Sequence, residues 1–180
     1  MTANAPAAAR PSADEYAPYY ETYVSLVPEG DVVGTLARQL EETLVLLRNV
    51  PASQEDFSYE PGKWSVKEVV GHMTDAERIF SYRALCIARG DKQNLPGMDQ
   101  DEYMSAATFS TRRLADLAAE FEYVRRATLS LLRHLSEEAW LRRGTANDNE
   151  VSVRALAYIL AGHEAHHVKV LRERYLTDKG

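Results

Sequence analysis

Residues 152–175 read SVRALAYILAGHEAHHVKVLRERY, and this stretch decides the fold. Its apolar residues recur at three- and four-residue spacing, as on one face of an amphipathic helix, and Ser152 is a suitable N-cap. At about 100° per residue, His163 and His167 lie in the middle of the apolar stripe that also contains Leu156. The stretch therefore predicts a long helix whose buried face includes two histidines.

Three further segments show the same helical periodicity, and no segment alternates apolar and polar residues over the length of a strand. The first begins at Asp31 and ends before Pro51. The second begins with the capping-box pattern of residues 65–68 and stops at Gly90, and the third covers residues 110–135. Four amphipathic helices bury their apolar stripes by packing together, so we predict an all-α four-helix bundle with a short N-terminal arm.

The two ends of the chain differ in composition. Residues 1–14 are small and interrupted by proline, which predicts a disordered tail, and residues 15–177 are expected to form a single domain. The arm at the start of this domain is rich in tyrosine. It is interpreted either as packing against the body or as part of the mouth of a site. Its tyrosines are Tyr16, Tyr19, Tyr20 and Tyr23.

The composition excludes several classes of function. The 180-residue chain is 45% apolar with a net charge of -6, which argues against nucleic-acid binding because phosphate contacts require clustered Lys and Arg. No run approaches the roughly 18 apolar residues of a membrane-spanning helix. The single cysteine, Cys86, excludes an internal disulfide. These features predict a cytoplasmic protein that binds neither nucleic acid nor a membrane.

The histidine pair on the last predicted helix indicates a metal site. Residues four apart on a helix can direct two imidazole nitrogens at one ion, at roughly 2.0–2.1 Å each for zinc. His72, at the border of the apolar face of the second helix, is the candidate third ligand beside His163 and His167. The alternative is a set of core histidines hydrogen-bonded to protein groups. His166 falls at the edge of the stripe, and His134 is interpreted as a surface residue or a partner of a helix C-terminus.

Residues 163–167, HEAHH, also match the zinc-protease pattern H-E-x-x-H. Metzincins continue this pattern with a glycine and a third histidine, where this chain has Val170 and Glu173. The 13 residues that follow His167 leave no room for the distant third ligand of other zincins. The sequence therefore argues against a protease. Glu164 is interpreted as a solvated residue, with a role beside the metal as the alternative.

Four motifs resemble those of a known family. They are KWSVKEVVGH at residues 63–72, DAER at 75–78, RALCIARGD at 83–91 and AGHEAHH at 161–167. Their order and spacing resemble the DinB/YfiT-like family over residues 16–176. The family often continues after its last histidine with Arg-Gly-Gln, where this chain has Val-Lys-Val.

The resemblance implies a four-helix bundle that forms a homodimer and holds a divalent metal, with zinc or nickel expected, on three histidines. The matching positions are His72, His163 and His167, the trio already indicated by helical spacing. Family members with known activity include transferases and isomerases that depend on low-molecular-weight thiols. We therefore expect a metal-dependent transferase that activates such a thiol for a small-molecule substrate. A metal-dependent hydrolase and a non-catalytic metal- or ligand-binding stress-response module are the alternatives.

Overall fold

The body of the molecule consists of long helices in a computed structural model that describes residues 9–176. Within this range the helices are, in chain order, α1 (Glu21–Val24), α2 (Val32–Arg48), α3 (Val66–Ala88), α4 (Gln100–Ala106), α5 (Leu114–Arg133), α6 (Glu137–Leu141) and α7 (Val153–Val170), which continues as a π-helical turn over Leu171–Tyr175. Both α2 and α3 pack against α5 and α7, so the predicted four-helix bundle is confirmed. None of these helices is long and apolar enough to cross a bilayer.

The starts of three long helices lie at the capping residues that the sequence predicts. Asp31 and Ser152 each accept a hydrogen bond from a backbone N–H in the first turn of their helix, at 2.9 and 3.0 Å. At the start of α3, Ser65 Oγ accepts from the N–H of Glu68 at 3.3 Å, and the Glu68 carboxylate accepts from the N–H of Ser65 at 2.7 Å. These bonds satisfy N–H groups that have no partner within the helix.

A small three-stranded sheet accompanies the helices, so the expectation of a chain without strands is wrong. Strands β2 (Arg143–Ala146) and β3 (Asn149–Ser152) form an antiparallel hairpin, and β1 (Asn94–Leu95) pairs in parallel with β2. Between β2 and β3, Asn147 and Asp148 have φ angles of 51° and 60°, as a two-residue hairpin turn requires. Strands of two to four residues are too short to show a clear alternating pattern.

The predicted tail comprises residues 1–14, of which residues 1–8 lie outside the described part of the chain. Beyond that point the chain is packed on the body. Arg10 donates hydrogen bonds to the carbonyl oxygens of Val24, at 2.9 Å, and Val27. The packed part of the chain thus begins before the predicted boundary at residue 15.

Glu15 anchors the N-terminal arm to the start of α7. Its side chain is 2% exposed and accepts hydrogen bonds from Ser152 Oγ and Arg154 Nε, both at 2.7 Å. It also accepts one from the backbone N–H of Ser12 at 2.9 Å. Burial alone raises the pKa of Glu15, but the hydrogen bonds from Arg154, Ser152 and Ser12 outweigh it and lower the pKa to about 2. The folded arm therefore favours the ionised carboxylate.

The arm then crosses α7 through α1, at a point where α7 has a glycine. A Cβ atom at Gly162 would collide with the carbonyl oxygen of Tyr23. The absence of a side chain at residue 162 therefore allows the backbone of α1 to lie directly on α7.

We expect Glu15→Gln to lower the free energy of unfolding at neutral pH by on the order of 2 kcal/mol. The stabilisation from Glu15 is fully present above its unfolded pKa of 4.5 and is lost as the pH falls through about 2. Urea unfolding at neutral pH and near pH 2 measures the difference between the variant and the wild type. The exposed Glu42→Gln is the matched control, and an equal loss for Glu15→Gln at both pH values would contradict the prediction.

Candidate metal centre

Three histidine rings from two helices converge on one point. His72 lies on α3, and His163 and His167 lie one turn apart on α7. The Nε2 atom of His163 is 3.1 Å from Nε2 of His72 and 3.1 Å from Nε2 of His167. The candidate ligand atoms of the three residues all lie within 4.8 Å of one another. The structure therefore brings together the three ligands that the sequence predicts.

The other two histidines lie outside this group. His166 is half-buried, and its ring meets the ring of His167 edge-on at a centroid distance of 5.1 Å. His134 is exposed at the end of α5, where its Nδ1 atom lies 2.7 Å from the carbonyl oxygen of Ser130. Both positions agree with the sequence interpretation, which placed His166 at the edge of the stripe and His134 near a helix C-terminus.

The donor set fits a divalent transition-metal ion. At bond lengths of roughly 2.0–2.1 Å, neighbouring ligands of a tetrahedral ion lie about 3.3 Å apart, close to the 3.1 Å spacing of the Nε2 atoms. Imidazole nitrogens suit zinc, nickel, copper and iron. Within residues 9–176, no fourth His, Cys, Asp or Glu joins the three. Such an ion would therefore keep a position open for a small molecule.

The surroundings of the triad keep its rings in the neutral form that metal binding requires. Burial disfavours the charged imidazolium and lowers the pKa of His72 to about 4 and that of His167 to about 3. Burial also lowers the pKa of His163 well below its usual value, and the neighbouring His167 and His72 lower it further. The triad is therefore uncharged at neutral pH.

We expect the metal-free protein to lose stability as the pH falls below the usual histidine pKa of about 6.5. In the unfolded chain the rings take up protons near that value, whereas the folded chain resists protonation down to about pH 4 at His72 and about pH 3 at His167. The unfolded state therefore binds more protons in this window, and stability falls by up to about 1.4 kcal/mol per pH unit for each ring.

Urea unfolding of the metal-free protein between neutral and acid pH checks this expectation. The control is the variant in which His72, His163 and His167 are all alanine, which should have a flatter pH profile. Identical profiles for the two proteins would show that the triad does not titrate in this way.

Glu164 is buried in an ion cluster behind the triad, so its interpretation as a solvated residue is wrong. Its carboxylate accepts hydrogen bonds from Thr43 Oγ1 at 2.6 Å and from Arg125 Nη1 at 2.5 Å. Arg125 is 0% exposed and also donates two hydrogen bonds of 2.8 Å to Glu77. Because Glu164 is directed at Arg125, it ties α7 to α5 beside His163 and does not join the three histidines.

A cavity of about 270 Å³, the first cavity, opens beside the triad. His72 and His163 line one part of it, and Tyr19, Tyr20 and Tyr23 of the arm line another. The ring of Tyr23 meets the ring of His163 edge-on at a centroid distance of 5.3 Å. Of the two roles considered for the tyrosine-rich arm, the structure supports a place at the mouth of the site.

The second cavity, of about 330 Å³, lies on the His167 side of the triad. His166, His167 and Asp101 are among its lining residues, and Gln100 borders both cavities. The triad is thus accessible to small molecules from two directions.

Sequence reasoning missed three polar residues that line the first cavity, namely Arg83, Gln100 and Asn147. Arg83 lies three helical turns after His72, and this spacing predicts that both residues lie on the same face of α3. Asn147 lies in the hairpin turn, where its N–H donates to the carbonyl oxygen of Leu95 at 2.9 Å. The dipeptide Asn147-Asp148 was the available signal, because such pairs favour two-residue turns. No comparable signal pointed to Gln100.

Comparison with known proteins agrees with the fold. The sequence profile of the DinB superfamily matches residues 35–171. No curated protein sequence matches the chain. Among solved structures, the chain is similar to YfiT from Bacillus subtilis, described as a probable metal-dependent hydrolase with an unusual four-helix bundle topology. The two are 18% identical with a TM-score of 0.60, and the match covers 90% of this chain and 91% of YfiT.

A second similar structure is the mycothiol-dependent maleylpyruvate isomerase. It is 14% identical with a TM-score of 0.63, and the match covers 76% of this chain and 58% of the isomerase. At these levels of identity, both likenesses establish the fold and leave the reaction of this chain to be argued from its own residues.

Proposed function

The chain belongs to the DinB superfamily, and on that premise we propose that it binds a divalent metal on His72, His163 and His167 and activates a low-molecular-weight thiol for transfer to a small electrophilic molecule. The observation that carries the proposal is the convergence of three neutral imidazole rings between two cavities, the first lined by His72 and His163 and the second by His167. Sites with three protein ligands and an open position are typical of catalytic metals, whereas closed structural sites have four.

The residues around the triad favour a thiol as the nucleophile. A bound divalent ion lowers the pKa of a thiol or a water molecule that approaches it. A thiol starts near 8.5, so it needs a much smaller shift than water, which starts near 15.7. No Asp or Glu of the described chain lines the first cavity, and Glu164 is held by Arg125. A reaction that needs no carboxylate base therefore fits this cavity best.

The two cavities also support a reaction of two small molecules. One borders His72 and His163, and the other borders His167. A thiol and its electrophilic partner can therefore approach the triad from different sides, and reactants held in such an orientation gain rate through proximity. The chain's own residues would bind and orient the two molecules and exclude bulk water.

A hydrolase is the second candidate, and Asp101 is the observation that favours it. Asp101 lines the second cavity beside His167 and raises the pKa of His72 through its negative charge, although burial dominates at that ring. A carboxylate in this place could accept a proton from water. The description of YfiT as a probable metal-dependent hydrolase agrees with this alternative.

The test is a conjugation assay on the metal-loaded protein. Cysteine, glutathione and mycothiol are each incubated with chlorodinitrobenzene, and thioether adducts are quantified by mass spectrometry. We expect adduct formation with at least one thiol, its loss on chelation of the metal, and its absence in His163→Ala. Cleavage of an ester without any thiol would assign a hydrolase instead. Tight metal binding without turnover of either kind would assign a non-catalytic binding module.

The homodimer implied by the family resemblance is also a proposal. Size-exclusion chromatography with light scattering tests it directly, and a molar mass near the 20.2 kDa of one chain would contradict it.

A further inference from the structure

Three cationic side chains are buried within residues 9–176, and one of them has no acidic partner. Lys67 pairs with Asp56 at 2.9 Å, and Arg125 pairs with two glutamates. Arg83 is 5% exposed, yet none of the described Asp or Glu residues forms an ion pair with it. A buried charge without a counter-ion is costly, so the place of Arg83 needs an explanation.

The contacts of Arg83 satisfy its guanidinium only in part. Nη2 donates to the carbonyl oxygen of Pro96 at 2.6 Å, and Cζ lies 5.5 Å from the centre of the Phe80 ring. A guanidinium has five N–H donors, so one carbonyl leaves most of its hydrogen-bonding capacity unused. Arg83 lines the first cavity, and a molecule in that cavity can supply the missing acceptors.

Phe80 connects Arg83 with the triad. The centre of its ring lies 6.2 Å from that of His163 and 5.5 Å from Cζ of Arg83. Long side chains on a helix lean toward its N-terminus, which for Arg83 is the direction of His72. A small molecule lying along Phe80 can therefore contact Arg83 with one end and the triad with the other.

We propose that Arg83 binds the carboxylate of a small substrate whose other end reacts at the triad. This inference rests on the proposed function and specifies its substrate class. Ala76, Ile79 and Phe80 line the same cavity and suit an apolar body between the two ends. Arg83 is a specificity-determining residue in this reaction, because it selects substrates by their charge.

A carboxylate fits the cavity better than a phosphate does. Arg83 is the one Lys or Arg among the described residues that line it, so it balances a single negative charge. A phosphate monoester carries nearly two negative charges at neutral pH. Arg83 would balance only one of them, and the other would remain in the cavity without a counter-ion. The planar guanidinium also matches a carboxylate with two parallel hydrogen bonds.

The test compares the binding of phenylacetate with that of its neutral isostere, phenylacetamide. Both are titrated into the metal-loaded protein and followed by calorimetry. We expect the acid to bind roughly tenfold or more tightly, because hydrogen bonds to charged groups are the stronger ones. Arg83→Gln should lose this preference. Arg89→Gln, which removes an exposed arginine from the end of the same helix, should keep it.

Two further measurements keep the assignment falsifiable. Arg83→Lys retains the charge and should retain a preference for the acid, which reports on charge if Arg83→Gln folds poorly. The titration is repeated after the metal is removed, and the preference should persist. Equal binding of acid and amide to the wild type, or an unchanged preference in folded Arg83→Gln, would overturn the inference.

The remaining outcomes separate this inference from the proposed function. A preference that disappears with the metal would assign the anion to the triad and overturn the role of Arg83. Tighter binding of phenyl phosphate than of phenylacetate would overturn the choice of carboxylate. An acid preference that depends on Arg83 in a protein without thiol-transfer activity would leave this binding role intact and reject the thiol reaction alone.

Discussion

Replacement of His163 by alanine is expected to weaken divalent-metal binding by more than about 100-fold. Loss of a residue that merely orients a metal ligand costs 10–100-fold in affinity, and loss of a ligand costs more. His163 is the central member of the triad, because its Nε2 atom lies 3.1 Å from those of both His72 and His167. Elemental analysis after desalting and calorimetric titration with zinc or nickel measure the effect.

The matched control for this substitution is His134→Ala. His134 is exposed and bonded only within its own helix among the described residues, so metal content should not change. The variant with alanine at His72, His163 and His167 sets the lower limit. If that triple variant held as much metal as the wild type, the site assignment would be rejected.

Replacement of Arg125 by methionine is expected to lower the free energy of unfolding by about 3–5 kcal/mol. The substitution leaves the carboxylates of Glu77 and Glu164 buried without their counter-ion. Since domains of this size are stable by only about 5–15 kcal/mol, the variant should unfold at much lower urea concentration than the wild type. Urea denaturation followed by circular dichroism gives the difference.

The next residue along the helix provides a closely matched control. Arg126 carries the same charge, is 56% exposed and pairs with Glu122 on the surface, so Arg126→Met should lower the stability far less than Arg125→Met does. Adding Glu77→Gln and Glu164→Gln to Arg125→Met should recover part of the lost stability, because no charge then remains in this cluster. Equal effects of the two arginine substitutions would show that the buried cluster does not stabilise the fold.

Local signals in the sequence were sufficient for the four long helices and for the choice of the three histidines. The capping residues Asp31, Ser65 and Ser152 begin helices because a short polar side chain beside its own backbone needs no distant partner. The pair His163 and His167 could be predicted because its one-turn spacing and its apolar neighbours occur in a single segment. Such features depend on a few consecutive residues.

The buried ion cluster could not be predicted in the same way. Arg125 lies one turn after the buried Phe121 and two turns before Leu132, so helical spacing places it on the apolar stripe of α5, but this spacing does not identify its partners. Glu164 points sideways from the stripe that contains His163, so its environment depends on where α2 and α5 approach α7. Its partners, Thr43 and Arg125, are far away along the chain, and their meeting is a property of the packed bundle.

The hairpin and the cavity were missed for a related reason. Each strand of the hairpin is shorter than the window over which alternation is visible. Asn147 reaches the first cavity only because the hairpin turn holds the segment around Leu95. Arg83 lies in the motif at residues 83–91, and only the packed helices show that no acidic residue of the described chain pairs with it.

The close contact between Gly162 and the backbone of Tyr23 sets the distance between the N-terminal arm and the first cavity. Because α1 lies directly on α7 there, the missing side chain determines how near the three tyrosines stand to the triad. A bulkier amino acid at residue 162 would move Tyr19, Tyr20 and Tyr23 away from the triad without replacing any residue that lines the first cavity. The width of the first cavity can therefore be changed from residue 162, which is not among the residues that line it.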